Sequence, residues 1–110
     1  VKIAARETKG STIFDVSGDI DLAHSPEMRK ALLGEIKEKK VPKVFLNLRE
    51  VRYIDSSGIA SLVEGLKASR DVGTRLILFG LSTSVREVMQ LSRLQKIFEI
   101  YDSEEQALAS

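Results

Sequence analysis

A chain of 110 residues with 43% apolar side chains has the size of one domain and enough hydrophobic material to bury a core without staples. It has no cysteine, which excludes disulfides, thiol catalysis and Cys-based metal sites. Seventeen basic against sixteen acidic side chains leave a net charge of +1, no reason to expect direct nucleic-acid binding or attraction to an anionic membrane. No apolar run approaches the roughly 18 residues that a membrane span needs, and no signal peptide is visible, so the expectation is a soluble cytoplasmic protein without membrane insertion.

In chain order, Val1–Arg6 and Ser11–Ser17 are β-type runs around Lys9-Gly10 and predict a hairpin. Gly18 closes the second run, and Asp19-Ile20-Asp21-Leu22 follows as a loop. Ser25-Pro26-Glu27 signals a helix start, with Ser25 as cap and Pro26 at the first helical position. Met28, Leu32, Leu33 and Ile36 then recur at helical spacing, and the cations of Lys37–Lys40 suit the helix C-terminus. Pro42 stops that helix, and Val44–Leu48 is an apolar strand without alternation, the pattern of a strand covered on both faces.

A second helix is expected from Ser57 to about Val72, with Ile59, Leu62, Val63 and Leu66 on one side and Gly73 as a left-handed cap. Arg75–Phe79 is the next strand. Ser82–Leu94 is a third helix, with Val85, Val88, Met89 and Leu91 inward. Ile97–Tyr101 is a last strand, and Asp102-Ser103-Glu104-Glu105 resembles a capping box that opens a final short helix. The order β-β-α-β-α-β-α-β-α implies a single α/β domain over residues 1–110: a mostly parallel mixed sheet with an N-terminal hairpin and about four helices.

In open α/β sheets, sites lie beyond the carboxyl ends of the strands. Three loops leave such ends here: Asp19–His24, Asp55–Gly58 and Gly80–Ser84. Asp55-Ser56-Ser57-Gly58 places two hydroxyls where a strand hands over to a helix N-terminus, which carries unpaired N–H groups and suits an added phosphate. Capping alone accounts for one serine, assigned as Ser57, and leaves Ser56 over; Gly58 is read as the residue that lets the backbone turn tightly. Asp19 and Asp21 lack further ligands at metal spacing. His24, the sole histidine, has no acid in the sequence to orient it and no G-x-S-x-G elbow beside it. Neither a Walker loop nor a G-x-G-x-x-G fingerprint occurs, so a nucleotide-binding or hydrolytic protein is disfavoured and no catalytic residue or cofactor is expected.

The pattern Asn47-Leu48-x-x-Val51-x-x-Ile54-Asp55-Ser56-Ser57-Gly58, with Gly18-Asp19-Ile20-Asp21 and the spacing of Gly73, Leu76, Leu78, Val88, Leu91, Leu94 and Phe98, resembles the STAS domains, specifically the bacterial anti-sigma-factor antagonists. The resemblance implies a partner-switching protein in transcription regulation. Unphosphorylated, such a protein binds an anti-sigma factor that doubles as a serine protein kinase. Phosphorylated at the serine after the aspartate, here Ser56, it lets go, and a serine phosphatase resets it. Asp21 matches the family's loop aspartate, and Asp21, Asp55, Ser57 and Gly58 flank the phosphosite or meet the partner. The alternative is a STAS subunit of a lipid-transport ABC complex, in which the serine pair is often altered.

Overall fold

A computed structural model describes all residues from Val1 to Ser110. Five strands form one sheet in sequential order: β1 (Lys2–Thr8), β2 (Ser11–Ser17), β3 (Lys43–Glu50), β4 (Arg75–Phe79) and β5 (Glu99–Tyr101). The β1–β2 pair is antiparallel and the other three pairings are parallel, as the hairpin followed by alternating elements implies. Lys9 and Gly10 both take positive φ, 47° and 79°, in the two-residue turn whose twist matches a hairpin.

Helices α1 (Ser25–Leu33), α2 (Ser56–Val72) and α3 (Thr83–Leu91) follow β2, β3 and β4, and α4 (Glu104–Leu108) closes the chain. Successive β3 side chains point to opposite faces, and Val44, Phe45 and Leu46 are all buried, so both faces are covered. On one face, Phe14, Leu46 and Leu78 join Met28, Leu32, Leu62, Leu66, Val85 and Met89 of α1, α2 and α3 in the main core. On the other, Ile13, Phe45, Ile77 and Phe79 pack against Ala107 of α4. Gly65 sits where α2 meets α1: a Cβ there would stand 3.0 Å from Leu32 Cδ1.

Several local expectations change. Ser25 is not a cap: His24 occupies that position and its side chain bonds no helix amide, Ser25 is itself helical and buried, and its amide is held by the Asp21 carbonyl at 2.7 Å. After Leu33 the chain widens into a π-turn, Gly34–Lys39. There the Glu35 carboxylate is buried, accepting from Thr12 Oγ1 and Lys39 Nζ, both at 3.0 Å. Lys39 therefore serves an ion pair within the turn and not only the helix terminus. Leu33 is half-buried, and Ile36 is fully buried as expected.

Helix α3 stops at Leu91, which is 85% exposed and not inward. At about 100° per residue it lies roughly 140° from the Val85–Met89 direction, so α-helical geometry turns it outward. A 3₁₀ turn, Leu94–Lys96, then delays β5 to Glu99 and leaves Ile97 outside the strand. Gly73 caps α2 at φ 77° as expected. Ser103 caps α4, but the returning acceptor is Gln106 Oε1, which receives Asp102 N at 3.2 Å. Glu104 is instead tied to Arg6.

Candidate functional site

The three loops singled out in the sequence do meet at the carboxyl end of the sheet. Ile20, expected in an open loop, is fully buried and forms a parallel bridge to Ile54. Ile20 N donates to Tyr53 O at 3.0 Å, and Asp55 N donates to Ile20 O at 3.3 Å. The third loop is fastened by Ser82, whose hydroxyl donates to Val51 O at 2.9 Å and accepts Val85 N at 3.3 Å as the cap of α3.

The cap of α2 is Asp55, not Ser57. One carboxylate oxygen accepts Ser57 N at 2.9 Å and Gly58 N at 3.1 Å, and Ser57 Oγ donates to the same oxygen at 2.5 Å. A carboxylate two residues earlier reaches the Ser57 and Gly58 N–H groups and carries the charge that a helix N-terminus favours, so it displaces the neutral hydroxyl from that role. The other Asp55 oxygen accepts Leu22 N at 3.1 Å, tying the helix cap to the loop after β2. These donors, the Ser57 hydroxyl first and then the Gly58 amide, hold the Asp55 carboxyl below its ordinary range.

Ser56 is the first residue of α2 and is exposed; its hydroxyl takes no part in the hydrogen bonds that hold the turn. Gly58 has no positive φ, so a tight turn is not its reason. A Cβ at Gly58 would lie 2.4 Å from Ile20 O and 2.6 Å from Ile54 Cγ1, closer than real atoms approach. Gly58 thus lets the first turn of α2 press on the bridged loops.

Asp21 is half-buried and folds its own loop. Its Oδ1 accepts His24 N at 3.1 Å and stands 2.6 Å from His24 Nδ1. An acid does orient His24, contrary to the sequence reading; the bonded side chain is that of Asp21 and not a serine. Asp21 reaches the serine turn only through its neighbour Leu22. Two residues of this surface were missed. Leu22, two residues after the bridged Ile20, is 76% exposed, and Tyr53, directly before the bridged Ile54, is 52% exposed. The signal in the sequence is an apolar residue after the acidic turn and an aromatic before the serine motif, neither of which lies in a periodic run that would separate it from an ordinary loop residue.

Fold and site together define a small single-sheet α/β module that presents a free serine hydroxyl at a rigid helix N-terminus, flanked by carboxylates. The chain belongs to the STAS domain family, whose profile matches residues 2–107. An anti-sigma-B factor antagonist of Listeria monocytogenes is 34% identical over 94% of this chain and 90% of its own length. An anti-sigma F factor antagonist of Paenibacillus polymyxa is 26% identical over 98% of this chain and 92% of its own length. The fold is shared with the crystal structure of a Thermotoga maritima protein, with a TM-score of 0.91 at 24% identity over 97% of this chain and 92% of that one. It is also shared with the Bacillus cell-fate determinant SpoIIAA in its phosphorylated form, at a TM-score of 0.75 and 22% identity over 98% of this chain and 97% of that one.

Proposed function

We propose that this chain is an anti-sigma factor antagonist that works as a phosphorylation-controlled partner switch, with Ser56 as the acceptor. The observation that carries the reading is the division of labour in the serine turn: Asp55 and Ser57 complete the cap, and the Ser56 hydroxyl is left exposed at the head of α2. The unmodified protein binds its anti-sigma factor, a serine kinase, and frees the sigma factor. Phosphorylation ends that complex, and a serine phosphatase restores it. The protein acts in the cytoplasm as a binding component and not as an enzyme, without cofactor or metal. An oriented His24 does not alter this, because its bonded partner is Asp21 and no nucleophile is bonded to it. The intact serine pair and the antagonist relatives support this reading over a lipid-transport subunit.

The phosphate adds about −1.5 to −2 charges near neutral pH. The sequence suggested that the helix N-terminus would absorb them. Asp55 already holds the Ser57 and Gly58 amides, so an added phosphate finds few free donors and stands beside a like charge. Its charge is therefore directed outward, against the partner, and juxtaposed like charges at an interface cost several kcal/mol. At about 1.4 kcal/mol per tenfold in affinity, that suffices for a switch. Incubation with the cognate kinase and ATP, followed by peptide mapping, tests the acceptor. Phosphate is expected on Ser56 and absent from Ser56→Ala; phosphate on Ser57 with Ser56 unmodified contradicts the assignment.

A further inference from the structure

We propose that Leu22 and Tyr53 are a paired apolar anchor for the partner, and that by excluding water around Ser56 they set how strongly a phosphate there repels it. The inference rests on the partner-switch reading and names what makes that switch effective. Both side chains are largely exposed, while Ile20, two residues before Leu22, and Ile54, directly after Tyr53, are at most 3% exposed. At 76% and 52% exposure, neither Leu22 nor Tyr53 is needed to fill the core.

The pair is also held in place. Leu22 N is bonded to the Asp55 carboxylate, one residue before Ser56, and Tyr53 O receives Ile20 N. The parallel Ile20–Ile54 bridge fixes the two loops against each other, and Gly58 packs on both isoleucines. The segments that carry Leu22, Tyr53 and Ser56 are therefore bonded to one another through their backbones and the Asp55 carboxylate, so their arrangement is set before any partner arrives, which lowers the entropic cost of binding.

Charges that remain in water interact weakly across a contact, whereas charges that lose their water without a partner are costly. A phosphate at an open rim would change affinity little. A phosphate enclosed by a leucine and a tyrosine seated on a partner loses its water. The fitting partner is an anti-sigma factor surface with an apolar recess for both side chains and no unpaired cation opposite Ser56, because a free arginine there would welcome the phosphate.

The test uses Leu22→Ser, Tyr53→Ser and the double variant, each with serine or with phosphoserine introduced at position 56 during translation. Each is titrated calorimetrically against the anti-sigma factor, with circular dichroism melts alongside. The melts are expected to match the native protein. Unmodified double variant is expected to bind about tenfold or more weakly, the scale of a truncated anchor. The factor by which phosphate weakens binding is expected to be smaller in the double variant than in the native protein. Native-like binding by the double variant overturns the anchor, and an equal loss with and without phosphate overturns the coupling. Native protein that binds equally well in both states contradicts the switch itself, an outcome distinguishable from either.

Discussion

Ser56 and Ser57 are adjacent and chemically identical, yet only Ser57 donates to the Asp55 carboxylate. The sequence made the serine turn visible but not which residue caps, because Asp and Ser are both favoured caps and the choice depends on which oxygen reaches two amides at once. Gly58 was legible as special for a different reason than the true one: the close approach of Ile20 comes from a bridge between distant loops. Ser57→Ala is expected to cost about 0.5–1.5 kcal/mol, the net value of one hydrogen bond, and to move the Asp55 titration back toward its ordinary value. Ser56→Ala is expected to leave stability within about 0.5 kcal/mol, as for an exposed side chain without partners. Gly58→Ala is expected to cost about 1–3 kcal/mol through overpacking. Urea melts of the three variants check the order, and a Ser56→Ala loss equal to that of Ser57→Ala would contradict it.

Among the elements, apolar periodicity and the Pro42 and Gly73 signals located β3, α2 and β4 to within a few residues. The failures fall where the helical period changes, wider at one place and tighter at the other. The π-turn at Gly34–Lys39 has no apolar signature, and its purpose, seating Glu35 against Thr12 across the hairpin, is tertiary. At the end of α3 the apolar run Val85, Val88, Met89, Leu91 and Leu94 reads as one helix, but Leu91 is off the buried stripe and the 3₁₀ turn brings Leu94 back to the core. Met89→Ala is expected to destabilise by about 2–5 kcal/mol, whereas Leu91→Ser should stay within about 0.5 kcal/mol. Thermal melts of the pair decide it; a large loss for Leu91→Ser would mean that this side chain is covered.

Across the whole molecule, the sequence conveyed the parallel sheet and the grouping of three loops at one end, because both follow from element order. It did not convey how the chain ends are clasped. Arg6 of β1 donates two bonds to Asp15 and reaches Glu104 of α4 at 2.7 Å, and Arg75 pairs with Glu99 of β5. Arg6 holds Asp15 and Glu104 below their ordinary values, Arg75 does so for Glu99, and the Ser57 hydroxyl for Asp55. Each carboxylate thus binds a proton less readily folded than unfolded. Its contribution is complete above the ordinary values of 3.8 for Asp and 4.5 for Glu, and is lost as pH falls through them toward the folded values. Urea melts are expected to show stability falling below about pH 4.5, less steeply in Arg6→Ala. A stability that rises over that range would contradict the ion-pair assignment.

The Asp55 cap fixes the turn around Ser56 while leaving its hydroxyl free, so phosphorylation is expected to change the surface and not the fold. The direct measurement is calorimetric titration of the cognate anti-sigma factor with this protein, unmodified and phosphorylated on Ser56, beside circular dichroism of both. Tight binding by the unmodified form, an affinity at least about tenfold lower for the phosphorylated form, and superimposable spectra are expected. Equal affinities for the two forms would contradict the switch and make a permanent complex the better reading.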